Sequence, residues 1–228
     1  MVSAKDILIK PIKAHAARAV VQKHHYSGKT TQNSQLHFGV FLNGKLEGAL
    51  QFGPPIDRRK LLPLVEGSKW GDMIELNRMA FSDALPRFSE SRAISICFKI
   101  IRKHYPQLKW VVSFADGTQC GDGTIYRASG FVLTAINKNS TIYRTPDGDV
   151  VADKTFNNSP TRVYKGYKVQ DCERLKGYQL RYIYFLDKDA RKRLTVPEIP
   201  FSEIEKAGAG MYKGEKVSLQ DRRVKEQT

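Results

Sequence analysis

Cysteine is scarce in this chain, with three in 228 residues, Cys97, Cys120 and Cys172. They are too scattered for a disulfide framework or a Cys-x-x-Cys metal knuckle, as expected in a reducing compartment. No apolar run approaches the ~20 residues of a membrane-spanning helix, and Met1–Asp6 lacks the apolar core of a signal peptide. The expectation is a soluble, cytoplasmic protein without membrane association. Acidic residues are also short, 23 Asp and Glu against 38 Lys and Arg, giving a net charge of +15. The excess is spread along the chain, 22 cationic against 13 acidic residues up to Ser159 and 16 against 10 beyond it, so it is not a basic tail. Such a surface attracts polyanions, with nucleic-acid phosphate foremost. The bland alternative is a generally basic soluble surface.

The 41% of hydrophobic residues suffices for one domain with a substantial core and some appendage. Asp6–Ile12 predicts a strand. Ala14–His24 predicts a helix with Ala17, Val20 and Val21 inward. Leu36–Leu42 and Leu46–Phe52 flank Asn43-Gly44, the strongest short hairpin signal. A loop of about fifteen residues follows Gly53-Pro54-Pro55 and carries Arg58, Arg59 and Lys60, long enough to be functional and placed to touch a nucleic-acid backbone.

Met73–Phe81 predicts another strand, bearing Glu75, Asn77 and Arg78. Ser91–His104 predicts an amphipathic helix that buries Cys97. Lys109–Asp116 reads as a buried strand delivering Asp116 to an edge, where a carboxylate is either a site residue or a cap on the next helix. Cys120, in the following loop, has no neighbouring histidine and reads as incidental. Thr161–Val169 and Gln179–Leu186 predict two further strands. From about Glu203 apolar periodicity vanishes, predicting a flexible basic tail. The expected domains are a catalytic part over 1–145, a β-rich extension over 146–202 and the tail over 203–228.

Gly123-Thr124-Ile125-Tyr126-Arg127-Ala128-Ser129-Gly130-Phe131 places a tyrosine on a short helix that ends at a glycine and enters a strand. This resembles the proton-donor position of GNAT N-acyltransferases, in which a tyrosine hydroxyl protonates the leaving group; without that resemblance, Gly130 is a helix C-cap and Tyr126 a core aromatic. The element order likewise resembles the GNAT α/β fold, a mixed, mostly antiparallel central sheet flanked by helices, here with a small C-terminal β extension. The coenzyme A loop departs from that pattern. Where the family has glycines, the chain reads Pro86-Arg87-Phe88-Ser89-Glu90-Ser91-Arg92-Ala93. Ser89, Ser91 and Arg92 at a helix start either bind donor phosphate or simply cap and decorate the helix.

Several phrases resemble the Mom family of phage DNA-modification proteins: His24-His25-Tyr26-Ser27-Gly28, His37-Phe38-Gly39-Val40-Phe41, Gly48-Ala49-Leu50-Gln51-Phe52-Gly53-Pro54-Pro55, Glu75-Leu76-Asn77-Arg78-Met79, Ser91-Arg92-Ala93-Ile94-Ser95, Ser113-Phe114-Ala115-Asp116 and the Tyr126 segment. The resemblance covers roughly residues 20–135. It implies conversion of adenine in double-stranded DNA to N6-carbamoylmethyladenine in the host cytoplasm, which protects the DNA from restriction enzymes.

Within that resemblance Asp116 is the expected base or orienter and Tyr126 the proton donor. Ser113 and Arg92 are expected to hold donor or phosphate, and His25, Tyr26, Glu75, Arg58 and Arg59 to meet the substrate. The donor is acetyl-coenzyme A or glycyl-tRNA, which would make tRNA a partner. His24-His25-Tyr26 with Asp116 raises iron, although adjacent helical histidines rarely chelate one ion. Metal content and homodimer formation stay open, as do two other readings, an N-acyltransferase of proteins or small amines and a non-catalytic DNA-binding protein.

Overall fold

A computed structural model describes residues 2–118, 121–208, 211–212 and 215–216. The strands of the main sheet are β1 (Leu8–Pro11), β2 (Leu36–Leu42), β3 (Lys45–Gly53), β4 (Met73–Phe81), β5 (Trp110–Asp116), β6 (Val132–Arg144), β7 (Val150–Ala152) and β8 (Glu173–Phe185). They form one eight-stranded sheet in the order β1-β2-β3-β4-β5-β8-β6-β7. Pairings β1–β2, β2–β3, β3–β4 and β6–β7 are antiparallel, and β4–β5 is parallel. The helices are α1 (Ala14–His24), α2 (Arg58–Leu61), α3 (Ser89–His104), α4 (Thr124–Ala128), α5 (Asp153–Asn157), α6 (Lys188–Lys192) and α7 (Ser202–Lys206). This is the mixed, mostly antiparallel α/β architecture expected from the sequence.

Two compact units emerge. The first comprises Met1–Phe114, Thr124–Thr134 and Tyr182–Ile199, and the second comprises Ala115–Gly123, Ala135–Arg181 and Pro200–Thr228. In the first, Asn43 and Gly44 both adopt positive φ, 50° and 78°, the backbone that a two-residue hairpin turn demands. α1 buries Ala17, Val20 and Val21 against Ala49 and Ala80 on one sheet face. On the opposite face, Phe52 meets Phe38 and the α3 side chain Phe98, which in turn stacks on Tyr184 at 4.2 Å. Cys97 is buried, and burial pushes its thiol pKa far up, so it is a core residue.

The long β3–β4 connection is structured. It contains α2 and a 3-10 turn, Leu62–Leu64, and Leu61, Leu64 and Val65 pack with Trp110 and Ile183. The Trp110 indole N–H donates to Ser68 Oγ at 3.0 Å, and Thr195 Oγ1–H donates to Pro63 O at 2.7 Å.

In the second unit, Tyr143, Val151 and Phe156 form a small core backed by Tyr164. Thr161–Val169, expected to be a strand, is not one. Arg162, Lys165 and Gly166 have φ of 53°, 48° and 89°, and Tyr164 and Tyr167 exchange backbone hydrogen bonds around a tight Lys165-Gly166 turn, so left-handed residues break the extended run. β8 begins earlier than expected, at Glu173. Most of the tail expected from 203, and Cys120, lie outside the described residues. Of that stretch, 203–206 belongs to α7, and β9 (Met211–Tyr212) pairs antiparallel with β10 (Glu215–Lys216), so its described part is not the structureless tail expected.

Candidate active site

Gln51 pairs with Arg78 across β3–β4, but Phe52 pairs with Leu76, leaving Asn77 as an extra residue in β4. In a regular strand, residues three apart face opposite sides. Here Gly53 pairs with Glu75, and residues 51 and 53 share a face, so the bulge brings Glu75 and Arg78 to that same face. His37 pairs with Gln51 on the β2 side, extending the row to His37, Gln51 and Arg78. α1 covers Ala49 and Ala80, the next inward positions along the same face, so this polar row begins where the apolar helix stripe stops.

β4 and β5 pair only from Met73–Trp110 to Glu75–Val112. Both strands run on past that point without pairing to each other, so Glu75 stands at a fork. Ser113, fully buried, donates its hydroxyl to Leu76 O at 2.9 Å and supplies the carbonyl with a partner where the ladder stops.

Beyond α1, His25 accepts at Nδ1 from the Ser27 backbone N–H, 3.2 Å, and its Nδ1 lies 2.8 Å from Ser27 Oγ. That bonding leaves the ring proton on Nε2. Burial, with the nearby Arg78 charge, lowers the His25 pKa to about 4. Glu75 is displaced the other way, raised to about 7 by burial although Arg78 opposes the rise. At neutral pH a neutral imidazole and a carboxyl poised to accept a proton therefore share one arginine.

Residues 29–35 cross this face as a strap. Arg78 Nε–H donates to Lys29 O at 2.9 Å, Ser34 Oγ–H to Asn77 Oδ1 at 2.9 Å and Asn33 Nδ2–H to Pro54 O at 2.6 Å. Gly53 permits the approach, since a Cβ there would stand 2.5 Å from Asn33 O. Two buried amide atoms, Gln51 Oε1 and Asn77 Nδ2, have no hydrogen-bond partner among the described residues. Next to His25, Tyr26 is 54% exposed, its ring centroid 4.3 Å from the imidazole.

The structure thus brings His25, Tyr26 and Glu75 into one neighbourhood with Arg78. Arg58 and Arg59 lie on α2, after the Gly53 end of β3. Tyr126 lies in α4, its ring 5.2 Å from Phe131 and 5.3 Å from Tyr182. Gly130 follows with φ 82°, as its C-terminal position requires. Asp116 ends β5 in the second unit and accepts the Thr118 N–H at 2.9 Å, a turn-forming contact.

At the start of α3, Ser89 Oγ–H donates to Pro86 O at 2.6 Å and Ser91 Oγ–H to Phe88 O at 3.2 Å, so both hydroxyls serve the local backbone, while Arg92 is exposed. Among the described residues no group of three or more His, Cys, Asp or Glu side chains is arranged to hold a metal. The iron expectation does not fit His24 and His25, because His25 Nδ1 is committed to Ser27.

Sequence reasoning placed Asn77 and Arg78 on a strand but gave them no role, and overlooked Gln51 and His37. The available signal was chemical: Gln51, Asn77 and Arg78 interrupt runs that otherwise read as buried strand.

A family model described as the Mom protein family matches residues 6–203. Methylcarbamoylase mom of Escherichia phage Mu is 42% identical over 201 residues, covering 84% of this chain and 80% of that protein. Similar solved structures include the ribosomal-protein-S18-alanine N-acetyltransferase from Escherichia coli, 13% identical with a TM-score of 0.47 over 79% of this chain and 94% of that one. The spermidine/spermine N-acetyltransferase SpeG from Vibrio cholerae is 8% identical with a TM-score of 0.47, over 83% and 98%. On the family match and the phage Mu relative, both of which span most of this sequence, the chain belongs to the Mom protein family.

Proposed function

We propose that the protein modifies the exocyclic N6 of adenine in double-stranded phage DNA, yielding N6-carbamoylmethyladenine and so shielding the DNA from host restriction. The observation that carries this reading is Glu75 at the β4–β5 fork, a carboxyl with its pKa raised to about 7 beside Arg78 and the neutral His25. The adenine amine is a poor nucleophile, because its lone pair is delocalised into the ring. A base whose pKa lies near the working pH is what such an amine requires. The 42% identical relative is named a methylcarbamoylase, which agrees with the product.

Glu75 takes a proton from N6 as the N6–carbon bond forms, and the Tyr126 hydroxyl returns one to the leaving group of the donor. Arg78 stabilises the Glu75 carboxylate before it takes the proton and holds the strap through Lys29. Asp116 orders the loop after β5, and Ser113 fixes the fork. The net charge of +15 supplies the phosphate attraction that a DNA substrate calls for. N6 lies edge-on in the major groove and is paired in the duplex, so presenting it to a base and a donor in one pocket takes adenine out of the stack, at a cost of about a few kcal/mol.

The donor is acetyl-coenzyme A or glycyl-tRNA. A glycyl group joined to N6 through its carbonyl is an isomer of the carbamoylmethyl product and reaches it by rearrangement, whereas an acetyl group requires both a separate nitrogen source and a two-electron oxidant. Nucleoside mass spectrometry of DNA from cells expressing the chain tests the reading. An adenosine heavier by a carbamoylmethyl group, lost in folded Glu75→Gln and Tyr126→Phe variants, is the expected result. Unmodified DNA from folded protein supplied with both donors would overturn it.

A further inference from the structure

The β3–β4 connection exposes side chains that a soluble surface ordinarily hides. Ile56 is 82% exposed and Trp70 56%. Both border a cleft of about 430 Å³ whose walls include Gln35, Pro55, Arg58 and Arg59. The Arg58 guanidinium lies over the Trp70 ring, 4.8 Å from its centroid, and its Nη1–H donates to Trp70 O at 3.0 Å. The indole is therefore held in place by a cation while the residue stays open to solvent.

The exposure does not come from a loose loop. Leu61, Leu64 and Val65 are buried with Trp110, Ser68 accepts from the Trp110 indole, and Glu66 and Arg193 are joined by backbone and side-chain hydrogen bonds. An apolar tip on a fixed base, among Arg58, Arg59, Lys60 and Lys69, matches the chemistry of a base stack rimmed by phosphates. Asp57, paired with Lys60 at 2.6 Å, offsets that lysine and leaves the charges of Arg58, Arg59 and Lys69.

Position adds to the chemistry. Pro54 directly follows Gly53, the ladder partner of Glu75, and Trp70 stands three residues before β4 begins, so the patch borders the Glu75 end of that strand. We infer that duplex DNA seats on this platform, with Ile56 entering the base stack as an apolar wedge and Trp70 stacking on a base next to the adenine offered to Glu75. The inference rests on the proposed function in taking DNA as the substrate.

The protein has two tryptophans, and Trp110 is fully buried, so a change in access to indole reports on Trp70. The full chain is titrated with a short duplex and, separately, with heparin as a polyanion without bases. Duplex is expected to lower acrylamide quenching of Trp70 about twofold or more, and heparin to leave it unchanged. Ile56→Ala, at an exposed position, is expected to weaken duplex binding about tenfold, the scale of one lost stacking contact, and to keep heparin affinity within about twofold.

Equal protection by heparin, a Trp70 still fully accessible on saturating DNA, or unchanged duplex affinity in Ile56→Ala would each overturn the wedge. A failure of adenine modification itself would look different: the Trp70 response would persist while no modified nucleoside formed.

Discussion

Glu75 and Arg78 lie three positions apart on one strand yet face the same side of the sheet, because Asn77 is an extra residue between their ladder partners Gly53 and Gln51. A single bulge thus sets a partly buried carboxyl beside a fixed guanidinium at the point where β4 and β5 stop pairing. The charge state of that pair follows, and with it a pH dependence of both stability and chemistry.

Glu75 titrates near 7 in the fold and near 4.5 unfolded, so the folded state holds the extra proton and stability falls as pH rises from about 4.5 to 7. His25 behaves in the opposite sense. Its pKa near 4 in the fold, against 6.5 unfolded, makes stability fall as pH drops from 6.5 toward 4. Glu75→Gln removes the first loss, so at pH 8 it should be more stable than the parent by up to about 3 kcal/mol, with no gain at pH 4. Adenine modification should fall by about 100-fold or more. Thermal melts at both pH values with nucleoside quantification check this; a gain of equal size at both pH values would contradict the assignment.

Arg78→Met removes the cation that restrains the Glu75 pKa and the hydrogen bond from Nε to Lys29 O. Two effects should appear together. The acid limb of the rate profile, set by Glu75 ionisation, moves to higher pH. Amide exchange over residues 29–35 also accelerates, because the strap loses a tether. Faster exchange with an unmoved limb would show that Arg78 serves the strap alone.

Gly53→Ala tests the strap from the other side. The new methyl would sit 2.5 Å from Asn33 O and 3.0 Å from Asn77 Nδ2, on two residues whose side chains are tied down through Asn33 Nδ2 and Asn77 Oδ1. Displacing backbone at such a contact costs about 1–3 kcal/mol. Global unfolding should lose that much, and exchange at 33–35 should rise most.

Local signals carried much of the fold. The bounds of α1 and β4 were legible because a polar-flanked 3.6-residue stripe and a long β-rich run are complete in themselves. Asn43-Gly44 fixed a hairpin for the same reason. The candidate site was legible only as separate residues, His25, Tyr26 and Glu75. What joins them is a bulge at Asn77, a fork after Glu75 and a strap pinned by Arg78, all products of strand register that no window along the chain contains. The β3–β4 connection read as a loop because its anchors, Trp110 and Thr195, are remote in sequence.

Tyr126 separates proton donation from packing. Its ring lies against Phe131 and Tyr182, and its carbonyl accepts the Phe131 N–H at 3.0 Å. Tyr126→Phe keeps the ring and the backbone contact, so stability should change by no more than about 1.5 kcal/mol, the scale of one side-chain hydrogen bond. A hydroxyl that protonates the leaving group is worth about 10²–10⁴ in rate. The loss should depend on the donor: a leaving group of low basicity needs little protonation, so the deficit shrinks as donors with better leaving groups are compared. A folded Tyr126→Phe protein that modifies adenine at the parent rate with every donor would leave Tyr126 as a core aromatic only.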